Sequence, residues 1–449
     1  MIVCKFGGTS VGDAEAVRRL VDIVRGRRAQ QPVVVVSALA QVTDGLLGLP
    51  GLAPDLRHAA LAALIHRHAA LAAGLRLRDG ALESIHAEAA CLARRLEQLG
   101  AAGPDGALLD YIAMHGELWS SRLVTEALEA GGVPAAWIDI RPVMRTDARF
   151  TRAVPDREAL PARARAALAP AQEEGRVPVT QGFLGSTGDG RPTTLGRGGS
   201  DYTATLLGAA LDVDRVEIWT DVDGIMTADP RLVANARVLP VASHLEAAEL
   251  AAFGARVLHP ATQAPLVDAL IPCVVLNSFA PDRPGTTIVT GVHPEPVGSS
   301  PVRAISWKRG VTVLNIRSPR MLGASGFLRR VFEVFERLGV SVDVLATSEV
   351  SLSLTVDDPV PLDAVLHDLA PLGEVTAYPG RAIVAVIGID LRGTNGLAAR
   401  IFDAVRDINV EVISQGASAI NVTFVVREQD GAEAVRRLHH EFFGAVEQG

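Results

Sequence analysis

Ile2-Val3-Cys4-Lys5-Phe6 is an apolar run interrupted by one lysine, and it stops at Gly7-Gly8. After Thr9, Ser10, Val11, Gly12 and Asp13, the apolar residues Ala14, Val17, Leu20, Val21 and Val24 recur at helical spacing up to Arg25. The pattern predicts a buried strand, a glycine turn and an amphipathic helix, the opening unit of an α/β fold. A helix start leaves backbone N–H groups unpaired at the positive end of its dipole. Glycines let a polyphosphate approach those donors, and a lysine nearby adds a full charge. Lys5 precedes both glycines, whereas in the P-loop the lysine follows the second one. An ordinary βα turn, with glycine chosen for its backbone freedom, is the plain alternative.

A chain of 449 residues is too long for one typical core, so two or three domains are expected. Its 43 basic and 51 acidic residues leave a net charge of −8, which argues against a nucleic-acid or anionic-membrane partner. Cys4, Cys91 and Cys273 lie far apart, without the spacing of a zinc site or a disulfide framework. The first residues read as a core strand rather than a charged leader, and no run approaches the ~18 apolar residues of a membrane span. A cytoplasmic protein is expected.

Pro32 to Ala38 is a valine-rich run that reads as a buried parallel strand, and it runs out into the polar residues Ser37, Gln41, Thr43 and Asp44. Strand ends of open α/β sheets present ligand contacts at such places. Asp55 to Gln98 reads as helices, with His58, His66, His68 and His86 taken as solvated residues, since no HExxH pattern is present. Tyr111 to Leu123 has helical spacing interrupted by Gly116-Glu117; the glutamate is either a buried partner for a ligand amine or a surface residue. Val177 to Phe183 resembles another strand ending in a glycine loop. Next comes Gly196-Arg197-Gly198-Gly199-Ser200-Asp201, where Ser200 and Asp201 are N-cap types for a helix through Leu211 and Arg197 sits in the loop before it. An arginine there suits planar recognition of a carboxylate or phosphate. Thr220 to Arg231 gathers aspartates after a strand but lacks the glycine and glutamate spacing of an EF-hand, so a loop gripping a nucleotide fits better. Three such loops, each after a strand, imply one composite site at one edge of a parallel sheet.

Proline, glycine and serine cluster between Pro281 and Pro301, as in a linker. Beyond it the chain repeats itself at a spacing of 70 positions, Gly326-Phe327-Leu328-Arg329-Arg330-Val331-Phe332 against Gly396-Leu397-Ala398-Ala399-Arg400-Ile401-Phe402, with Val340, Val342 and Ser348 matching Val410, Val412 and Ser418. Each copy reads as strand (Val311 to Ile316; Ile383 to Ile389), helix, strand (Val340 to Leu345; Val410 to Ser414), strand (Val350 to Val356; Ile420 to Val426) and helix. Units this small need partners to bury their sheet faces, so pairing and dimerisation are expected.

Lys5-Phe6-Gly7-Gly8-Thr9-Ser10, Val36-Ser37-Ala38 with Val42-Thr43-Asp44, Gly116-Glu117, Gly196 to Asp201, Thr220 to Ile225 and Phe253-Gly254-Ala255-Arg256-Val257-Leu258-His259-Pro260 occur in the order found in aspartate kinases. The chain resembles that family, and its repeats resemble ACT domains of the lysine-sensitive type. The resemblance implies an α/β fold: an amino-acid-kinase domain with an open, parallel-rich sheet between helices (1–290), a linker (291–305) and two ferredoxin-like ACT units (306–378 and 379–449). It implies transfer of the γ-phosphoryl of ATP, with Mg2+, to the side-chain carboxylate of L-aspartate, as the first step toward lysine, threonine and methionine. A carboxylate is already an ionised nucleophile at neutral pH, so catalysis reduces to positioning and charge neutralisation.

By the same resemblance Lys5 and Asp201 are catalytic, Asp201 orienting either Lys5 or the magnesium shell. Arg197 would hold the α-carboxylate of aspartate and Glu117 its ammonium, with Ser37, Thr43, Phe183, Gly199 and Ser200 completing the substrate site. Lys5, Gly7, Gly8, Thr9, Ser10, Thr220, Asp221, Met226, Arg231, Arg256 and Val257 match nucleotide contacts; no residue is expected to bind a metal directly. Met226 and Arg256 stand where relatives often carry tyrosine and lysine. Met321, Phe327, Leu328, Ser341, Val342, Asp343, Thr347 and Ser348 match an effector pocket, most simply for L-lysine, although Gly323-Ala324 stands where lysine-binding relatives tend to have His-Ser. A homodimer or tetramer through the ACT units is expected. Two other readings are a related kinase acting on glutamate or acetylglutamate, and a catalytically inert amino-acid sensor.

Overall fold

A computed structural model describes residues 1–78, 80–99, 103–254, 260–290, 300–358 and 360–444. The chain divides into two compact units, one of Met1–Ile225, Pro240–His244 and Val257–Val292, the other of Met226–Leu239, Leu245–Arg256 and His293–Gly449. In order, the chain runs through β1 (Ile2–Phe6), α1 (Ala14–Arg27), β2 (Pro32–Val36), α2 (Val42–Gly48), α3 (Pro54–Leu75), α4 (Gly80–Glu97), α5 (Gly106–Ala130) and β3 (Ala135–Ile138). It continues through α6 (Leu160–Glu173), β4 (Val177–Gln181), β5 (Leu184–Ser186), β6 (Pro192–Thr194), α7 (Gly199–Leu211), β7 (Arg215–Thr220), β8 (Val241–Ser243), α8 (His244–Ala252), α9 (Pro260–Ala269), β9 (Cys273–Asn277) and β10 (Thr286–Val289).

The first unit is built on an eight-stranded sheet in the order β3-β4-β2-β1-β7-β9-β10-β8. Its first six strands are mutually parallel and β10 runs antiparallel to β9. Every residue of β1 and β2 is buried, as expected of central strands covered on both faces. Phe6 stacks on Trp219 of β7, with ring centroids 6.0 Å apart. The carboxyl ends of β1, β2, β4 and β7 carry the glycine and polar loops of the sequence, so four parallel strands deliver them to one edge. Two local expectations are corrected. The residue before α7 is Gly198 at φ 72°, a left-handed position suited to glycine, so Ser200 and Asp201 occupy the first turn rather than the cap. His68 is not solvated: it is fully buried, its Nδ1 is 2.8 Å from the Leu64 carbonyl, and its ring lies edge-on to Trp119.

The second unit contains β11 (Val302–Arg317), α10 (Phe327–Leu338), β12 (Leu345–Thr347), β13 (Ser351–Asp357), α11 (Leu362–Leu369), β14 (Glu374–Gly388), α12 (Leu397–Ala404), β15 (Val412–Gln415), β16 (Asn421–Arg427) and α13 (Glu428–Phe443). One antiparallel six-stranded sheet, β12-β13-β11-β14-β16-β15, serves both repeats. Val340 to Val344, expected as strand, lies outside the strands, and only the short edge strand β12 follows. β11 and β14 pair along their lengths with register shifts between Lys308 and Val311 and between Val311 and Val313, and each feeds both repeats. The far half of β11 packs Leu314 and Ile316 with Phe327, Val331 and Leu352 of the first repeat. The near half packs Val302 and Ile305 with Val384, Ile401, Phe424 and Leu438 of the second. The second repeat, which in sequence ends on a helix, thus takes its fourth strand from ahead of the first. Of the expected linker, residues 291–299 lie outside the described residues, while Val302 to Ile305 already belong to β11. The stretch Met226–Leu239 joins this unit: Ala228 and Val233 enter its core, the Ile305 amide donates to the Thr227 carbonyl, and the Thr227 hydroxyl lies 3.0 Å from His439 Nε2.

Candidate active site

The Gly-Gly turn is held by backbone groups. The Gly7 amide donates to the Trp219 carbonyl at 3.1 Å and the Ala40 amide to the Gly8 carbonyl at 3.1 Å. A side chain on Gly8 would place its Cβ 2.9 Å from the Ala38 carbonyl oxygen, and one on Gly116 of α5 would sit 2.8 Å from the Ala38 Cβ. The absence of side chains at these two positions therefore brings the ends of β1 and β2 and the middle of α5 together. What converges there is charge: Lys5 from β1 and Glu117 from α5.

Lys5, Ser37, Thr43, Glu117, Phe183, Arg197, Gly199, Ser200 and Asp201 all line one cleft of about 500 Å³. Lys5 Nζ lies 2.6 Å from Asp201 Oδ1, and both side chains are mostly buried. Glu117 is 4 % exposed and accepts the Ala38 amide, but its Oε2 meets no hydrogen-bond partner among the described residues. Burial drives its carboxyl up to about 8, against the downward pull of these backbone donors and Lys5. Arg197, exposed in its loop, forms no ion pair among the described residues. The cleft thus holds a buried carboxyl oxygen without a hydrogen-bond partner and a guanidinium without an anion, together with a lysine already paired to Asp201. Phe183 has φ 67°, a costly conformation for a bulky residue, fixed by its amide donating to Thr203 Oγ1 at 2.9 Å and its carbonyl accepting the Leu195 amide.

Residues 1–277 match the amino acid kinase family and residues 384–442 the ACT domain. The lysine-sensitive aspartokinase 3 of Escherichia coli is 41% identical to this chain over 99% of both. The chain belongs to the aspartokinase family. The crystal structure of E. coli aspartokinase III with aspartate and ADP (R-state) matches it with a TM-score of 0.87, over 99% of this chain and 100% of that one. The same enzyme with lysine and aspartate (T-state) matches with a TM-score of 0.82, over 99% of each, again at 41% identity. As an aspartokinase the protein is an ATP-dependent phosphotransferase that acts on the carboxyl group of aspartate.

The remaining expected residues of this aspartokinase are more scattered. Thr9 is exposed on the turn, whereas the Ser10 amide donates to the Gly7 carbonyl and its buried hydroxyl shares a 2.7 Å hydrogen bond with Ser278, so both donors are engaged inside the protein. Thr220 ends β7 and Asp221 follows it, and the Thr220 carbonyl accepts both donors of Ser278. Met226 and Arg231 belong to the second compact unit, where Arg231 is paired with Asp229 at 2.6 Å. Arg256 and Val257 lie outside the described residues. Of the effector positions, Met321, Phe327 and Val342 pack into or against the first repeat's core, Leu328 and Ser341 are exposed, and Thr347 and Ser348 lie at the edge strand and its turn. Asp343 is not free: Lys308 Nζ lies 2.7 Å from its Oδ2 and 2.6 Å from Asp357 Oδ1. Lys308, Ser278 and Asp110, which also lines the cleft, carry no sequence motif and are visible only in the fold.

Proposed function

We propose that this cleft holds L-aspartate between Glu117, which takes the ammonium, and Arg197, which takes the α-carboxylate, with Ser37, Thr43, Phe183, Gly199 and Ser200 around it. The β-carboxylate then faces Lys5, which bridges it to the γ-phosphoryl of ATP while Asp201 keeps the ammonium of Lys5 in place. A carboxylate oxygen attacks the γ-phosphorus, the bond from that phosphorus to the β,γ-bridging oxygen breaks, and 4-phospho-L-aspartate and ADP result. The transfer step itself moves no proton, because the nucleophile is ionised at neutral pH. Gly7, Gly8 and Thr9 face the phosphates and Ser10 holds the turn from within, while Thr220, Asp221, Met226, Arg231, Arg256 and Val257 are assigned to the nucleotide. Among the described residues no cluster of three acidic, His or Cys side chains could cage a metal. Mg2+ would be held mainly through the substrate phosphates and water, where it would neutralise phosphate charge.

The observation that carries this reading is the complementarity of the cleft: an unpaired buried Glu117 oxygen and an unpaired Arg197 beside the Lys5–Asp201 pair. We further assign residues 1–290 to catalysis and 306–378 and 379–449 to two ACT units, with the strand at Val302 lent to the second. L-Lysine, bound by the E. coli enzyme in its T-state, is the proposed effector, through Met321, Phe327, Leu328, Ser341, Val342, Asp343, Thr347 and Ser348. Exposed Leu322, Leu328, Phe332 and Leu345 suit assembly into a homodimer or tetramer through this unit. No described helix is long and apolar enough to cross a membrane. The proposed setting is the cytoplasm, where the enzyme opens the route to lysine, threonine and methionine.

Hydroxylamine trapping of the acyl phosphate tests the proposal. A Mg2+- and ATP-dependent hydroxamate signal with L-aspartate and none with L-glutamate is expected, suppressed by lysine at roughly millimolar or less. A signal with glutamate alone overturns the substrate assignment, and indifference to lysine overturns the effector.

A further inference from the structure

Asp110 lies on α5 seven residues before Glu117, two turns or about 10 Å along the helix axis. It is 1 % exposed and, among the described residues, forms no ion pair. Its Oδ2 accepts the Thr151 amide at 2.9 Å and the Thr194 amide at 3.0 Å, and its Oδ1 accepts the Thr194 hydroxyl at 2.6 Å. A buried carboxylate without a cation is costly unless its hydrogen bonds are satisfied, so these three donors define what it does.

Both segments it holds lead to Arg197. Thr194 ends β6, and the turn Leu195-Gly196-Arg197-Gly198 begins at the next residue. Thr151 lies against that turn: a Cβ on Gly196 would sit 3.2 Å from the Thr151 carbonyl oxygen, and the Ala153 amide donates to the Thr194 carbonyl at 2.9 Å. The root of the Arg197 turn is therefore fastened to α5 through one carboxylate. The same helix carries Glu117.

We infer that Asp110 is a positioning residue that uses α5 as a ruler, fixing the span between Glu117 and Arg197 and thereby the size of amino acid that satisfies both. The inference rests on the assignment of these two groups to the substrate's ammonium and α-carboxylate. Weakening the anchor frees Arg197 from its distance to Glu117, so aspartate loses affinity and the rejection of glutamate is relaxed. Nucleotide binding, which does not use the anchor, is unaffected.

The test is a cycle of Asp110→Asn, Arg197→Ala and the double variant, read as separate KM values for aspartate and ATP. Asp110→Asn keeps an acceptor and the shape, so it preserves the fold where Asp110→Ala fails to. The expected result is an aspartate KM raised about 10- to 100-fold, the scale of a positional error in a bound reactant. The ATP KM should stay within about twofold, the glutamate-to-aspartate ratio should rise, and the double variant should be no worse than Arg197→Ala, as for two groups acting as one. Additive effects, or a lower melting temperature with both KM values unmoved, overturn the inference. If Arg197→Ala itself leaves the aspartate KM unchanged, the assignment of Arg197 falls and takes the inference with it. If it raises that KM and Asp110→Asn does not, the inference alone falls.

Discussion

Glu117 shows how a single residue couples recognition to pH. With its carboxyl raised to about 8, most of the unliganded protein holds it neutral at pH 7, and the proton must leave before an ammonium is paired. Each pKa unit corresponds to about 1.4 kcal/mol, so at pH 7 recognition carries a handicap of roughly tenfold that disappears above pH 8. The kcat/KM for aspartate is therefore expected to climb about tenfold between pH 7 and 8.5, measured with saturating Mg-ATP; a flat profile would contradict this role. Glu117→Gln should abolish the climb and reduce kcat/KM by ~100-fold or more, on the scale of losing a charged hydrogen bond. The same variant should be more stable than wild type above about pH 5. Between the ordinary carboxyl value and 8 the unfolded chain has released a proton that the folded one keeps, so folding loses stability as pH rises there. The identities of Glu117, Lys5 and Arg197 stood out in the sequence because Glu117 and Arg197 each adjoin a glycine and Lys5 lies two residues before the Gly7-Gly8 pair. Asp110 and Lys308 did not, since their partners are brought to them only by tertiary folding.

At the scale of elements, the strand–turn–helix periodicity of the first unit was legible because parallel strands buried on both faces are written as runs of valine and isoleucine. The interruption at Gly116 was less so, because glycine in a helical pattern reads as a break. In the fold α5 passes through it unbroken, and the glycine marks where the β2 loop presses on the helix. Gly116→Ala, which would improve intrinsic helix propensity by about 1 kcal/mol, is expected to impair the enzyme instead. The added methyl meets Ala38, so either α5 or the β2 loop must shift and carry Glu117 or Ser37 with it. A rise in the aspartate KM of ~10-fold or more, with far-UV circular dichroism unchanged, is the outcome to look for. A neutral or stabilised variant with normal KM would show that the contact relaxes harmlessly. The three-residue β5, β6, β8 and β12 lay below what periodicity can resolve, since alternation needs more than three positions to declare itself.

At the scale of the whole molecule, three histidines set a limit on acid tolerance. His68, His115 and His439 are each 0–1 % exposed, and burial lowers all three to about 4. Between pH 6.5 and 4 the unfolded chain takes up protons that the folded chain refuses, so stability falls as pH falls through this window. Melting temperature is expected to drop steeply below pH 6.5, and His68→Met, which keeps a bulky group beside Trp119, should soften the drop; an unchanged slope would show that His68 is not among the groups responsible. The strand shared by the two repeats has its own consequence for how the protein is made. Residues Val302 to Lys308 leave the ribosome before any of the second repeat exists, and they pair with Ile383 to Gly388 only after the entire first repeat has followed them out. Until then the first repeat can close on itself, but its predecessor waits with an uncovered apolar face. The regulatory half is therefore sealed last, by its C-terminal residues, and a chain stalled or cut short there would expose a sticky edge rather than merely lack a sensor.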